Sequence, residues 1–357
     1  MKKYQIVVCT RESKHAGTKA PKDVSRIAEE NGFCAIKLRA DSFSENIFGK
    51  LLRQCGYCRD WLRASVEIEK SSILLLQHPF YRRDFARNVV IKFLKYIKKV
   101  RIIAFVHDVE ELRKSLYNSN LQREFKNMVR MSDVMIVHNE VMKAWFVHKG
   151  IPESKLVTLG IFDYLIDSCF SINKKTYGGV VSFAGCLDRT KSGFVYELES
   201  IENVSFDLYG PDFDRNSKIR NAKFLGEFAP EALSEKIHSG FGLVWDGPSL
   251  MECEGNTGNY LRYNNPHKLS LYISLGLPVI VWSKSACASF VAENNIGIHV
   301  NSLLELSDKL KLVSEAQYNL MAERSFALGC RLRHGEFTKA ALARAVEKIT
   351  IGHRSDI

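Results

Sequence analysis

The chain alternates apolar, strand-like runs with amphipathic, helix-like ones, and it runs through that alternation twice. In the first half, strands are expected at Gln5–Cys9, Ile73–Gln77, Ile102–Val106, Val134–Val137 and Leu156–Leu159. Helices are expected between them at Asp23–Asn31, Val89–Lys98, Gln122–Met131 and Glu140–Lys149. The polar stretch from Ser171 to Gly178 reads as a linker, after which the pattern restarts. Strands then read at Val180–Ala184, Phe206–Tyr209, Phe241–Val244 and Val279–Trp282, and helices at Pro230–His238, Pro266–Leu275, Ala286–Glu293, Leu303–Lys311 and Glu315–Leu328. Apolar strands alternating with helices form parallel sheets covered on both faces. The expected fold class is therefore α/β, with two Rossmann-like doubly wound domains, residues 1–172 and 173–334. A last helix within 335–352 folds back onto the first domain. Ligands of such sheets sit at the carboxyl ends of the strands, which places a site in the cleft between domains.

At 357 residues the chain can bury two ordinary cores. No apolar run approaches the ~20 residues that span a bilayer. The apolar run behind Met1-Lys2-Lys3 is too short for a signal peptide and reads as a strand. Nine scattered cysteines, an odd number, point to a reducing cytoplasm and not to a disulfide scaffold. Cys55-Gly-Tyr-Cys58 has the CxxC form, but it follows the helical stretch Phe48 to Arg53 and has no second pair to complete a zinc site. The net charge of +11 suits nucleic acid, an anionic membrane or a phosphorylated ligand. Basic residues gather at Arg82, Arg83 and Arg87, and again at Lys92, Lys95, Lys98, Lys99 and Arg101. The second group shares a helix with Val90, Ile91, Phe93, Leu94 and Ile97; it is either a membrane-facing helix or a solvated face. No nucleic-acid-binding motif accompanies the charge.

The most informative block is Asn264-Asn265-Pro266-His267-Lys268. Asn265 reads as an N-cap, Pro266 as the first helical residue, and Gly276 with Pro278 as the stop. His267 and Lys268 then occupy the first turn, where the helix dipole disfavours a cation by roughly 0.3–1 kcal/mol. A bound anion reverses that penalty, so the block reads as a diphosphate site; an exposed lysine that tolerates its position is the plainer alternative. Arg189 and Lys191, after the strand Val180–Ala184, offer a second grip on a diphosphate. Tyr209-Gly210-Pro211 places a ring at a strand end, as does a plain turn. His107-Asp108-Val109-Glu110 ends another strand, with three groups able to act as a general base or simply to start a helix with Asp108 as cap. His138-Asn139 is a similar helix start capped by Asn139, and His78-Pro79 ends a further strand. Gly17-Thr18-Lys19 is a donor-rich loop without P-loop spacing. Asp212-Phe213-Asp214 has the form of a metal-chelating Asp-x-Asp but lies in a loop, so no metal site is assigned. No G-x-S-x-G elbow supports a covalent hydrolase.

The segment Gly258-Asn-Tyr260-Leu-Arg-Tyr263-Asn264-Asn265-Pro266-His267-Lys268, continued by Gly276-Leu-Pro278-Val-Ile-Val-Trp282-Ser-Lys284, resembles bacterial GT-B glycosyltransferases. Within them it is similar to β-1,6-galactofuranosyltransferases of O-antigen assembly and to glucosyltransferases that extend glycans on streptococcal serine-rich adhesins. Gly17-Thr18-Lys19-Ala20 with Asp23, His107-Asp108-Val109-Glu110, His138-Asn139 and Gly242-Leu-Val-Trp245-Asp246-Gly247 extend the likeness over about residues 4 to 330. It implies a GT-B fold, a UDP-sugar held by the second domain, a glycan acceptor held by the first, and neither metal nor cofactor. By position, Asn265, His267, Lys268 and Arg189 would face the diphosphate. Tyr209, Tyr260 and Tyr263 would lie near the nucleotide or donor sugar, and Thr18 would close the site. The Glu-x7-Glu pattern of retaining enzymes is absent from the phosphate-helix region, which implies inversion with Asp108 as base and Glu110 or His107 behind it. The implied activity is transfer of a hexose, galactofuranose first, to a surface glycan such as a lipid-linked O-antigen or capsule precursor. The enzyme would be cytoplasmic, touching the inner leaflet through its basic face, and members self-associate. Glucosylation of N-acetylglucosamine on an adhesin and a non-catalytic GT-B-like partner subunit remain the alternatives.

Overall fold

The computed structural model describes residues 1–9, 18–39, 46–81, 83–114, 116, 118–166, 179–233, 235–237 and 240–355. The expected linker from Ser171 to Gly178 lies outside them, as do Gly17 and Arg82.

The first sheet holds β1 (Lys3–Cys9), β2 (Phe33–Arg39), β3 (Ile73–His78), β4 (Arg101–Val106), β5 (Val134–Val137) and β6 (Leu156–Thr158). Its crossovers are α1 (Lys19–Glu30), α2 (Ile47–Glu67), α3 (Phe85–Tyr96), α4 (Glu110–Arg113), α5 (Ser119–Met131) and α6 (Glu140–His148). The second sheet holds β7 (Val180–Ala184), β8 (Ser205–Tyr209), β9 (Ala222–Gly226), β10 (Phe241–Val244), β11 (Val279–Trp282) and β12 (Gly297–Val300). Around it lie α7 (Arg189–Ser192), α8 (Pro230–Leu233), α9 (Gly255–Tyr260), α10 (His267–Ser274), α11 (Ala288–Asn294), α12 (Leu306–Lys311) and α13 (Glu315–Arg333). Helix α14 (Glu336–Ser355) packs Ala341, Leu342, Ala345 and Ile349 into the core of the first sheet, beside α1.

All strand pairs are parallel, in the orders β2-β1-β3-β4-β5-β6 and β12-β11-β10-β7-β8-β9. Each sheet therefore reverses its winding once, between β1 and β3 and between β7 and β10. Crevices that bind ligands open at such reversals. Central strands are apolar on both faces: all of Val279–Trp282 and Phe241–Val244 is buried. Trp245 and Trp282 meet edge to face at 6.3 Å in the second core; burying such a side chain contributes roughly 1.5–3 kcal/mol.

Two glycines are dictated by close approach. Gly335 breaks α13 from α14 at φ +72°, and a Cβ there would lie 2.6 Å from Ile27 of α1. Gly210 follows β8, and a Cβ would fall 1.8 Å from the Gly185 carbonyl oxygen. Several expected elements differ in extent. The helix expected from Pro230 ends as α8 at Leu233, and the helical stretch read at Phe48–Arg53 runs on as α2 to Glu67. Cys55 and Cys58 are exposed on that helix.

Candidate active site

The carboxyl end of the first sheet faces a cleft of about 850 Å³, lined by Thr18, Tyr81, His107, Asp108 and Arg113 from the first domain and by Asn264 to His267, the entry to α10, from the second. Strand β4 delivers His107 and Asp108 to its floor. Asp108 is not the cap of α4, a position held by Val109. Its carboxylate instead accepts from the Tyr81 hydroxyl at 3.0 Å and from Arg113 Nη1 at 2.7 Å. Burial pushes the Asp108 carboxyl above the usual range, and the Arg113 charge opposes the rise.

Glu110 does not share this position. It is 6% exposed, pairs with Arg113 at 2.5 Å and accepts the Leu116 amide at 3.0 Å. Its carboxylate is consumed in orienting Arg113, which corrects the expectation of a second acid–base group. His107 sets Nε2 2.6 Å from Gln77 Oε1, while the Gln77 amide nitrogen donates to Ser25. That network assigns the proton to Nε2 and leaves Nδ1 as the lone-pair side. Burial, then the neighbouring His138, His267 and His78, push His107 down to about 3, so the ring is neutral at pH 7.

On the other side, Lys268 stands at the winding reversal between β7 and β10. Its ammonium donates to the Trp245 carbonyl at 2.9 Å and to Asp246 Oδ1 at 2.8 Å, and lies over the Phe183 ring. The expected unpaired cation is thus already half of an ion pair, 12% and 10% exposed. Burial lowers its pKa and Asp246 opposes the fall. Lys191 acts on both domains: its charge lowers the pKa of Asp108 and that of Lys268. His267 opens α10 and packs on Phe162 and Tyr164 in the cleft wall.

Asn265 takes a different place from the one expected. The cap position of α10 belongs to Pro266, without a side-chain hydrogen bond. The Asn265 amide nitrogen donates to the His138 and Gly160 carbonyls at 3.0 and 2.8 Å, its oxygen accepts from Asn139 at 2.8 Å, and its backbone amide donates to His138 Nδ1 at 3.0 Å. Every polar atom of the side chain is spent across the domain boundary, so Asn265 is a clamp and not a phosphate ligand. Tyr260 works beside it: its buried ring enters the first domain's core and its hydroxyl accepts the Val109 amide at 2.9 Å. Tyr263 gives its carbonyl to Asn139 at 3.0 Å. Tyr209 turns into the second core, 3% exposed, with its hydroxyl donating to the Lys236 carbonyl at 3.3 Å. Neither the Tyr209 nor the Tyr260 ring faces the cleft, against expectation, because the sheet and helix layers they belong to need those volumes filled.

Arg189 lies at the carboxyl end of β7, 59% exposed, stacked on Tyr196 and paired with Asp214 at 2.9 Å. Asp214, of the Asp-x-Asp, is thereby engaged. Thr18 precedes α1 at the cleft wall. Lys19 turns inward to Asp23 at 2.6 Å and the Leu165 carbonyl. Tyr81, Gln77, Arg113 and Asp246 were not singled out by sequence. Only Asp246 carried a signal, through its place in Trp245-Asp246-Gly247 after a strand.

Family models describe almost the whole chain: a glucosyltransferase 3-like N-terminal domain matches residues 3–161 and a glucosyltransferase 3-like C-terminal domain residues 181–345. The β-1,6-galactofuranosyltransferase WbbI of Escherichia coli K12 is 30% identical over 288 residues, 79% of this chain and 81% of that protein. Glucosyltransferase 3 of Streptococcus gordonii is 27% identical over 334 residues, 92% and 94% of the two chains. Among solved structures, Anabaena Alr3699/HepE in complex with UDP-glucose superposes with a TM-score of 0.61 at 13% identity, over 96% of this chain and 99% of that one. WaaG, a glycosyltransferase involved in lipopolysaccharide biosynthesis, superposes with a TM-score of 0.55 at 14% identity, over 94% and 98%. The two parallel sheets facing one cleft are the GT-B arrangement, and the chain belongs to the glucosyltransferase 3-like family.

Proposed function

We propose that this chain transfers a hexose, galactofuranose first, from a UDP-sugar to a bacterial surface glycan, with inversion and without a metal ion. One observation supports the reading: Asp108, at a strand end of the first sheet, and His267, in the first turn of the helix that carries Lys268, line one cleft, and the charge of Lys191 acts on both Asp108 and Lys268. The donor diphosphate would lie against the β7 and β10 ends, its charge offset by Lys268 and Lys191, with Arg189 at the outer edge. The acceptor hydroxyl would approach from the first domain. Asp108 would take its proton as the new C–O bond forms at the anomeric carbon and the bond to UDP breaks, UDP leaving with that electron pair. Arg113 and Tyr81 would fix the carboxylate's direction.

The choice of galactofuranose draws on the 30% identity to the E. coli galactofuranosyltransferase. Transfer of glucose is the second reading, favoured by the longer alignment to the S. gordonii glucosyltransferase. The test is incubation of the protein with UDP-galactofuranose or UDP-glucose, each with an O-antigen-precursor glycolipid or an N-acetylglucosamine-bearing peptide. Linkage analysis of the product then separates furanoside from pyranoside. Absence of UDP release from every donor and acceptor pair would overturn the proposal.

A further inference from the structure

Two neighbouring crossover helices of the first sheet carry an apolar face that no other described part of the chain covers. Helices α2 and α3 run side by side, and their inner sides (Tyr57, Trp61 and Ala64; Val90, Ile91 and Leu94) fill the core above the sheet. Their outer sides present Phe48, Leu51, Leu52, Leu62 and Val66 on α2. On α3 and its cap they present Phe85, Val89, Phe93, Tyr96 and Ile97. Of the 22 exposed large hydrophobic side chains among the described residues, ten lie here, on helices of 21 and 12 residues. Phe48, Leu52, Cys55, Leu62 and Val66 follow one another at intervals of four, three, seven and four, so they share one face of α2, with exposed Arg59 set between Cys55 and Leu62. A contiguous exposed stripe of this kind marks an interaction surface.

Its charge selects the partner. Lys50, Arg59, Arg63, Arg83, Lys92 and Lys99 are exposed around the stripe, against two exposed acids, Glu67 and Glu69, the latter paired with Lys2. The two other acids of the segment, Asp60 and Asp84, are buried. A second copy of the chain docked by a two-fold axis would set these like-charged rims against each other. An anionic lipid surface accepts both features at once, apolar side chains at the acyl boundary and cations at the phosphates.

We infer that the α2–α3 face docks the protein on an anionic bilayer. No described helix is long and apolar enough to cross one, so the contact is peripheral. Tyr57, Phe80 and Tyr81 of the same region line the cleft, and Tyr81 touches Asp108. A glycan carried on a lipid would therefore reach the Asp108 carboxylate from this side; that consequence rests on the proposed function, whereas the docking does not.

The experiment is flotation of the full chain with phosphatidylcholine vesicles, with and without roughly one third phosphatidylglycerol. Binding to the anionic vesicles alone, released by high salt, is expected. Lys50→Ala with Lys92→Ala should weaken partitioning by about five-fold for each cation removed, and Leu62→Ser with Phe93→Ser by about ten-fold or more. The lysine pair removes no apolar contact, so it keeps the test valid if the second pair folds poorly. Stabilisation by UDP, measured on the same samples, should persist in both variants; its absence from the wild type would count against the donor site and leave the docking standing. Failure to bind anionic vesicles, equal binding to neutral ones, or a dimer that Leu62→Ser with Phe93→Ser dissociates would overturn the inference.

Discussion

Arg113 donates to Asp108 at 2.7 Å, and that contact decides how Asp108 can act. The same guanidinium holds Glu110 at 2.5 Å, so it is anchored from behind and presents a fixed edge to the cleft. A carboxylate so held keeps its direction; burial raises its pKa, and the Arg113 charge opposes that rise.

If Asp108 is the base, Asp108→Asn should lower the transfer rate by about 10²–10⁴-fold and leave UDP affinity unchanged. The acid limb of the wild-type rate profile should lie above the ordinary carboxylate value of about 3.9, since burial raises this group. Steady-state kinetics across pH, with UDP titration of the variant, checks both.

Lys268 and Asp246 should behave as a pair. Lys268→Ala removes a cation from the donor wall and strands a buried carboxylate, so UDP-sugar binding should weaken by about 1.5–3 kcal/mol and stability should fall as well. Adding Asp246→Asn should restore stability but not binding. Urea unfolding and calorimetric titration of the two variants separate the effects.

Asn265→Ala should destabilise by about 2–3 kcal/mol, because three side-chain hydrogen bonds across the domain boundary are lost and their partners stay buried. Equilibrium unfolding measures this directly. A change below about 0.5 kcal/mol, the size of an ordinary surface substitution, would mean that Asn265 is not a clamp.

The buried histidines give the fold a pH dependence. Burial lowers His78 to about 3 and His138 to about 4, against 6.5 for the free group. The unfolded chain therefore binds more protons than the folded one below pH 6.5, and stability falls as pH falls, by about 2 kcal/mol per histidine between pH 7 and 5. Asp23 and Asp163, raised to about 6 by burial, act in the opposite sense, by about 1 kcal/mol each over that interval. His138→Asn, which retains an acceptor where Nδ1 stood, should remove one histidine's share of the fall; an unaltered slope in urea unfolding would contradict the assignment.

The central strands were legible because burial on both faces writes them as apolar runs, Val-Ile-Val-Trp for β11 and Ile-Ile-Ala-Phe-Val for most of β4. The strands that sequence missed, β2, β9 and β12, are all sheet edges. Phe-Cys-Ala-Ile-Lys-Leu-Arg in β2 and Gly-Ile-His-Val in β12 mix polar with apolar residues because an edge is only partly enclosed. Asn139 was read correctly as a cap and accepts from Met142 at 2.9 Å. Asn265 looked like the same signal, but its partners are 105 to 127 residues away in sequence, where no local pattern can show them. The pairing of Lys268 with Asp246 was hidden for the same reason, 22 residues apart across two strand ends.

The central claim is tested most directly by thermal unfolding with UDP, UDP-glucose, UDP-galactopyranose, UDP-galactofuranose and UDP-N-acetylglucosamine, with GDP and dTDP as controls, in the presence and absence of Mg²⁺. A ligand at 100 times its dissociation constant stabilises by roughly 2.7 kcal/mol, a readable shift. The expected result is stabilisation by UDP compounds alone, independent of Mg²⁺ and reduced in Lys268→Ala. Indifference to every nucleotide, or an equal response to GDP and dTDP, would contradict a UDP-sugar site in this cleft.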